Sequence, residues 1–281
     1  MAKLPLKLAS ARILISNDDG IGAPGIKRLE KIAAGFGAEV WVVAPEEEQS
    51  GTGHSLTLRR PLRIRKISAR RYAVDGTPTD CILLAVNQIM KGSGPDLVLS
   101  GINRGSNLGE DMTYSGTIAA AMEATLLGVP AIALSQRVAY ETLNSGGPLD
   151  WSAAEGYAAR VIRKLAAIAW PRDVLMNVNF PDRPAADVTG IEITREGRRK
   201  VGDEILEGRD PRGEPYYWIG NQKISPTYAK GTDLAAVHGG KVSVTPLSLD
   251  LTHRPMVRQL KPLFAARRSG SKRANKRGAK K

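Results

Sequence analysis

Short apolar, β-branched runs recur along the chain: "RILIS" (12–16), "EVWVVAP" (39–45), "DLVLSGIN" (96–103), "AIALSQ" (131–136) and "LMNVNFP" (175–181). Each is almost continuously apolar rather than alternating, the pattern of a strand buried on both faces. The stretches between them carry helical spacing instead. In "PGIKRLEKIAAGFG", Ile26, Leu29, Ile32, Ala33 and Phe36 fall on one face, Pro24 suits the first turn, and Gly35 or Gly37 can close the helix. "TPTDCILLAVNQIMKG" starts on Thr77 and Asp80 as cap residues, and "GTIAAAMEATLLGVP" stops at Gly128–Pro130. "WSAAEGYAARVIRKLAAIAW" opens with Ser152-x-x-Glu155, the spelling of a capping box. Strands alternating with helices predict an α/β fold, a mostly parallel sheet flanked by helices on both faces.

The pattern changes at 190–220, "GIEITREGRRKVGDEILEGRDPRGEPYYWIG", which is charged and β-prone. Asp210-Pro211-Arg212-Gly213 is a turn signal, and Tyr216, Tyr217 and Trp218 cluster after it. This predicts an extended β-hairpin arm that buries little against its own core, and so belongs against another subunit or over the site. "KVSVTPL", within 232–252, adds one more strand.

Composition narrows the class without fixing it. A hydrophobic content of 42% and a charged content of 25% are those of an ordinary globular protein. The single cysteine, Cys81, excludes an intrachain disulfide and sits in an apolar helix as a core residue. No apolar run reaches the ~20 residues of a membrane span, and the N-terminal stretch reads as a short leader into the first strand, so a cytoplasmic protein is expected. Eight basic residues and no acid stand in the last 17, so more than half of the net charge of +13 lies there. The expected domain is therefore 10–264, followed by a basic, disordered tail at 265–281. Such a tail either contacts nucleic acid non-specifically or only aids solubility.

The chemistry gathers where the strands end, which is where an open parallel sheet binds ligands. The first strand runs into Asn17-Asp18-Asp19, the second into "APEEEQSGTGHS" with Ser50, and the third ends in Ser100 and Asn103. All are oxygen donors. Two carboxylates about 5 Å apart repel by roughly 3 kcal/mol at an effective dielectric of ~20, so the pair calls for a cation, a basic partner or a shared proton. Oxygen-only ligands favour Mg²⁺, Mn²⁺ or Ca²⁺ over zinc. The plain alternative is that "DDG" is a turn.

A second constellation is "SGINRGSNLGEDMTYSGTIAAAMEA" (100–124), in which Tyr114-Ser115-Gly116-Thr117 leads into a helix. Free N–H groups at a helix start, flanked by hydroxyls, bind anions, although Ser115 or Thr117 can equally be a simple cap. His54 lies four residues beyond Ser50, either as an acid or substrate contact or as a structural histidine. Beside a metal, an anion site suggests phosphate chemistry.

Two other readings compete. Gly20, Gly22 and Gly25 spell the G-x-G-x-x-G of a dinucleotide site. Asp18 and Asp19 stand where the pyrophosphate would approach, and repulsion opposes it. A phospho-aspartate phosphatase needs two aspartates one residue apart, whereas these are adjacent.

Together, "ILISNDDGIGAPGI", "VVAPEEEQSGTGHSLTL", "YAVDGTPTDCILLA", the block from Pro95 to Ser135, "MNVNFP", "EGRDPRGEPYYWIG" and "TDLAAVHGGKVSVTPLSLDLT" resemble the SurE family of survival-protein 5′-nucleotidases over about residues 10–260. The resemblance implies a Rossmann-like core with an extended hairpin, and homodimers or homotetramers built by exchanging terminal elements. It implies one divalent cation, often Mg²⁺ or Mn²⁺, and hydrolysis of nucleoside monophosphates. Carried over by motif, the metal ligands are Asp18, Asp19, Ser50 and Asn103, with the two aspartates also catalytic. Asn107, Ser115, Gly116 and Thr117 are the phosphate contacts. Ala124 and Glu110 depart from the family pattern without touching a proposed ligand, and the basic tail lies outside it.

Overall fold

The computed structural model describes residues 4–139, 142, 148–198, 200–224 and 227–265. In chain order its first elements are β1 (Arg12–Ser16), α1 (Pro24–Ala34), β2 (Glu39–Pro45), β3 (Ile64–Ser68), β4 (Arg71–Val74), α2 (Pro78–Leu84), β5 (Leu97–Arg104), α3 (Gly116–Leu126) and β6 (Ala131–Gln136). There follow α4 (Ser152–Ala166), β7 (Val174–Phe180), β8 (Ile191–Ile193), β9 (Lys200–Arg209), β10 (Pro215–Ile224), α5 (Asp233–His238) and β11 (Val242–Ser248). The main sheet has 9 strands in the order β3-β4-β2-β1-β5-β6-β7-β11-β8. β4, β2, β1, β5, β6 and β7 pair in parallel from neighbour to neighbour, while β3 and β11 join antiparallel to β4 and β7. The fold is the mostly parallel α/β sheet expected from the apolar runs, with helices on both faces, and it has the Rossmann-like form that the resemblance implies.

The side-chain period of 2 in β1 shows how one strand serves two cores. Ile13 and Ile15 pack with Ile26 and Leu29 of α1 and Ile162 of α4. Leu14 points the other way, to Cys81 and Ile82 of α2 and Ile118 and Ala121 of α3. All of these side chains are within 2% of full burial, Cys81 included. Such doubly buried strands need apolar residues at every position, which explains why their sequences do not alternate.

The sequence pattern missed β3 and β4. β3 is exposed throughout and lies on the sheet's edge, where no face has to be apolar. The predicted arm divides. Ile191–Ile193 pairs in parallel with β11 in the main sheet, and the two-stranded hairpin is formed by β9 and β10, starting ten residues later and ending four residues later than the predicted 190–220. Its turn is the one the sequence signalled: Gly213 N–H donates to Asp210 O at 2.9 Å, and Asp210 Oδ1 accepts from the N–H groups of Arg212 and Glu214. Tyr216, Tyr217 and Trp218 are exposed along the hairpin.

Thr77 and Asp80 cap α2 as expected, and they do so reciprocally, as a capping box. The box predicted at Ser152-x-x-Glu155 does not form. Trp151 is the N-cap of α4, and the Ser152 hydroxyl accepts from Ala185 N–H at 3.1 Å instead of capping its own helix.

The chain divides into two units at Asp250. In the second, α6 (Arg254–Leu260) is capped by His253, whose Nδ1 accepts from Met256 N–H at 3.2 Å. The basic tail at 265–281 lies, Ala265 apart, outside the described residues. Among the described residues no helix is long and apolar enough to cross a membrane.

Candidate active site

At the carboxyl end of β1, between β2 and β5, the chain leaves the sheet through Asn17, Asp18 and Asp19. Asn17 is fully buried. Its Nδ2 donates to Gly20 O at 2.9 Å and closes a turn in which Gly20 takes φ +93°, while its Oδ1 has no hydrogen-bond partner. Asp18 is 5% exposed and rests on the start of α3, where the Thr117 hydroxyl donates to Oδ1 and the backbone of Gly116 and Thr117 hydrogen-bonds the carboxylate. A Cβ on Gly116 would lie 2.7 Å from the Cβ of Asp18, so only glycine lets helix and carboxylate come this close.

Both carboxyls are held above their ordinary 3.8. Burial pushes Asp18 up, against the hydrogen bonds that favour its charge. Burial, followed by the neighbouring Asp18 charge, pushes Asp19 up to about 7, although its Oδ2 accepts from Arg104 N–H at 3.1 Å. Two desolvated carboxyls side by side are a pair that a bound cation would stabilise in its charged form.

The predicted phosphate cradle has a use of its own here. Ser115 caps α3 by accepting from Ile118 N–H at 3.0 Å, and the Thr117 hydroxyl is given to Asp18. The anion seated on this helix start is therefore the protein's own carboxylate. Asn107 is buried in an amide network: Nδ2 donates to Ser135 Oγ at 2.8 Å, its N–H donates to Asn179 Oδ1, and its carbonyl accepts from Asn177 and Asn179. One Nδ2 proton remains. Asn177 and Asn179 went unnoticed in the sequence, though their spacing of two inside an apolar strand marks a polar pair on one face.

Residues 46–57 form no regular element, yet five hydrogen bonds tie them to the site's frame. Gln49 N–H donates to Asp18 O at 2.7 Å, Gly53 N–H to Tyr114 O at 3.2 Å, and Thr57 N–H to Asp80 Oδ1 at 3.1 Å. The Thr77 hydroxyl donates to Ser55 O at 2.8 Å, and His54 Nε2 lies 2.9 Å from Oε2 of the buried Glu123. His54 thus clasps the loop to α3, the structural alternative of the two considered for it. Ser50 follows Gln49 in this loop, and its hydroxyl donates to Glu48 Oε1 at 2.8 Å. Asn103 follows an irregularity in the β5–β6 register between Ser100 and Asn103, the kind of bulge that re-aims a side chain. Its Nδ2 donates to Gly105 O at 3.0 Å.

The glycine fingerprint also resolves. Gly20 makes the turn, Gly22 faces open space, and Gly25 presses α1 onto β5, where a Cβ would stand 1.9 Å from Ile102 O. The glycines serve turn and packing, and Asp18 and Asp19 occupy the strand end.

The family profile described as "Survival protein SurE" matches residues 13–203. This chain belongs to the SurE family. It is 64% identical over 256 residues to a protein of Paramagnetospirillum magneticum named 5′-nucleotidase SurE, covering 91% of this chain and 96% of that protein. A Parvibaculum lavamentivorans protein of the same name is 53% identical over 261 residues, covering 92% of each. The crystal structure of SurE protein from Aquifex aeolicus superposes with a TM-score of 0.78 at 41% identity, over 90% of this chain and 99% of that one.

The SurE-family site of this chain suits a hard cation. The raised carboxyls of Asp18 and Asp19 and the orphaned Oδ1 of buried Asn17 are oxygen atoms short of positive charge. Among the described residues no three His, Cys, Asp or Glu side chains gather to hold a metal; the predicted set has two carboxylates, its other members being a hydroxyl and an amide. Thr117 orients Asp18 without belonging to that set. Thr117→Val is expected to lower kcat/KM on AMP by about 10–100-fold, the usual cost of losing a ligand's supporting partner, with the folded far-ultraviolet spectrum retained. Unchanged kinetics would show that the hydroxyl does not orient Asp18.

Proposed function

We propose that this chain is a metal-dependent 5′-nucleotidase, a phosphoric monoester hydrolase that converts nucleoside monophosphates to nucleoside and phosphate. The observation that carries the reading is the pair Asp18–Asp19, desolvated at the sheet's carboxyl edge against the start of α3. The names of its relatives point to the same reaction.

Asp18, Asp19, Ser50 and Asn103 are assigned as ligands of one divalent cation, Mg²⁺ or Mn²⁺, with Ca²⁺ compatible with the same donors. When bound, that ion polarises a phosphoryl oxygen and acidifies water. The chain's own atoms do the rest. The Ser50 hydroxyl donates its hydrogen bond to Glu48, which leaves the oxygen's lone pairs for the ion. Asn103 commits Nδ2 to Gly105 and keeps Oδ1 as its donor atom. Arg104 N–H holds Asp19 Oδ2, so Oδ1 of Asp19 is the atom that accepts the proton lost by the attacking water. The phosphoryl end of the substrate is assigned to Asn107, Ser115, Gly116 and Thr117: the second Nδ2 proton of Asn107 and the Ser115 hydroxyl proton are the donors for the charge that grows as the ester breaks, while Gly116 and Thr117 hold Asp18 beside it.

The catalytic domain is assigned to 10–264, in a cytoplasmic homodimer or homotetramer, with 265–281 as a basic tail open to weak nucleic-acid contact. Phosphate release from AMP should vanish in excess chelator and return on adding Mn²⁺ or Mg²⁺ beyond it. Full turnover after complete metal removal would overturn the metal role, and no turnover of any nucleotide with metal present would overturn the reaction.

A further inference from the structure

A cleft of about 370 Å³ opens directly from Asp19, inside the range of roughly 300–1,000 Å³ typical of small-ligand sites. Its two ends differ. One is polar, with Asp19, Glu48 and the exposed Arg104. The other is apolar, with Pro24, Leu149 and Trp151. Trp151 is 6% exposed and forms the floor, pinned by the Arg28 guanidinium 5.1 Å from its ring centroid. Arg28 is in turn paired with Glu155 at 2.9 Å. Above that floor, Ala23, Pro24 and the half-exposed Leu149 are the apolar side chains left to meet a ligand, and Leu149 is the largest of them.

We infer that this cleft is the nucleoside subsite, with Leu149 a specificity-determining residue that seats the base. The inference rests on the nucleotidase reading above. A nucleoside monophosphate carries both kinds of surface: a charged phosphate and a ribose rich in hydroxyls, and a flat base with apolar faces. With the phosphate beside Asp19, the ribose meets the Glu48 carboxylate and the Arg104 guanidinium, an acceptor and a set of donors for its hydroxyls. The base then lies over Leu149 and the Trp151 floor. Pro24 and Leu149 offer no side-chain hydrogen-bonding group, so the wall grips a base by its faces and reads its edges weakly. Purine and pyrimidine nucleotides should both be accepted.

The test compares AMP with glycerol 2-phosphate, an ester that has no base, using metal-loaded wild type, Leu149→Ser and Leu149→Met. Wild type should prefer AMP. Leu149→Ser should lower the ratio of the two kcat/KM values about tenfold, the scale of a lost apolar contact in a binding pocket, and Leu149→Met should keep it. Adenosine should inhibit glycerol 2-phosphate hydrolysis competitively, with an inhibition constant that rises in Leu149→Ser by the same factor. Because each ratio is taken within one protein preparation, partial misfolding cancels. A preference for AMP that Leu149→Ser leaves intact, or a wild type that does not distinguish the two esters, overturns the subsite while the nucleotidase reading stands. A wild type that hydrolyses neither ester overturns that reading itself.

Discussion

Asp18→Asn is expected to reduce kcat on AMP by on the order of 10³-fold, the cost of removing one preorganised charged group from a site of this kind, while making the metal-free protein more stable at neutral pH. The two effects have one cause. Asp18 is a carboxylate taken out of water, held by the Thr117 hydroxyl and the α3 start, and still pushed above its ordinary 3.8. Asp19 beside it is pushed up to about 7. A carboxyl whose folded value exceeds its unfolded value binds more protons in the folded chain between those two values. Asp19's contribution is therefore fully favourable below pH 4 and is lost as pH rises to about 7, and Asp18, also raised, loses its own in the same direction. Metal-free wild type should lose melting temperature over that window. Asp18→Asn should flatten the decline, because the amide removes both its own buried charge and the repulsion on Asp19. Adding Mn²⁺ at pH 8 should raise the melting temperature of wild type far more than that of the variant. Calorimetry at pH 4, 6 and 8, with and without metal, checks each statement. An Asp18→Asn protein that turns over normally would move the catalytic centre elsewhere, and an unchanged pH slope would show that the pair is not under electrostatic stress.

Gly25→Ala is expected to be the most damaging single methyl in the site's frame. The added Cβ would stand 1.9 Å from Ile102 O and 3.2 Å from the Trp151 ring, and backbone cannot yield as a flexible side-chain end can. To accept it, α1 must lift from β5. That strips contacts from Ile26 and Leu29, both fully buried. A loss of about 4 kcal/mol is the scale of such clashes, and in a domain of this size it lowers the melting temperature by roughly 8–16 °C. Gly22→Ala is the matched control. Gly22 is exposed, its φ is not positive, and its Cβ would meet nothing within 4 Å. The change should fall within about 0.5 kcal/mol of wild type. Thermal melts of the two variants side by side test whether the glycines of 20–25 are there for packing. Equal melting temperatures would refute the close approach at Gly25.

The strand set of the central sheet was legible in the sequence because a strand buried on both faces must be apolar at every position, and Ile13, Leu14 and Ile15 carry that requirement openly. Asp18 and Asp19 were legible as a candidate because adjacent carboxylates at the end of such a strand repel and call for a partner, although the same letters also spell a turn. Edge strand β3 gave no such sign, since exposure removes the constraint that would have written it into the residues. Nor did Ser152 cap its helix, because a tertiary partner, Ala185 N–H, claimed the hydroxyl. The same competition decided the α3 start. Locally it is a free anion site, but the fold brings Asp18 to it from a strand 99 residues away in sequence, and the hydroxyl that could face a phosphate holds a carboxylate instead. Local pattern records what a residue needs from its immediate neighbours. Which of several chemically suitable partners it meets is set by distance in space, and only the folded chain fixes that.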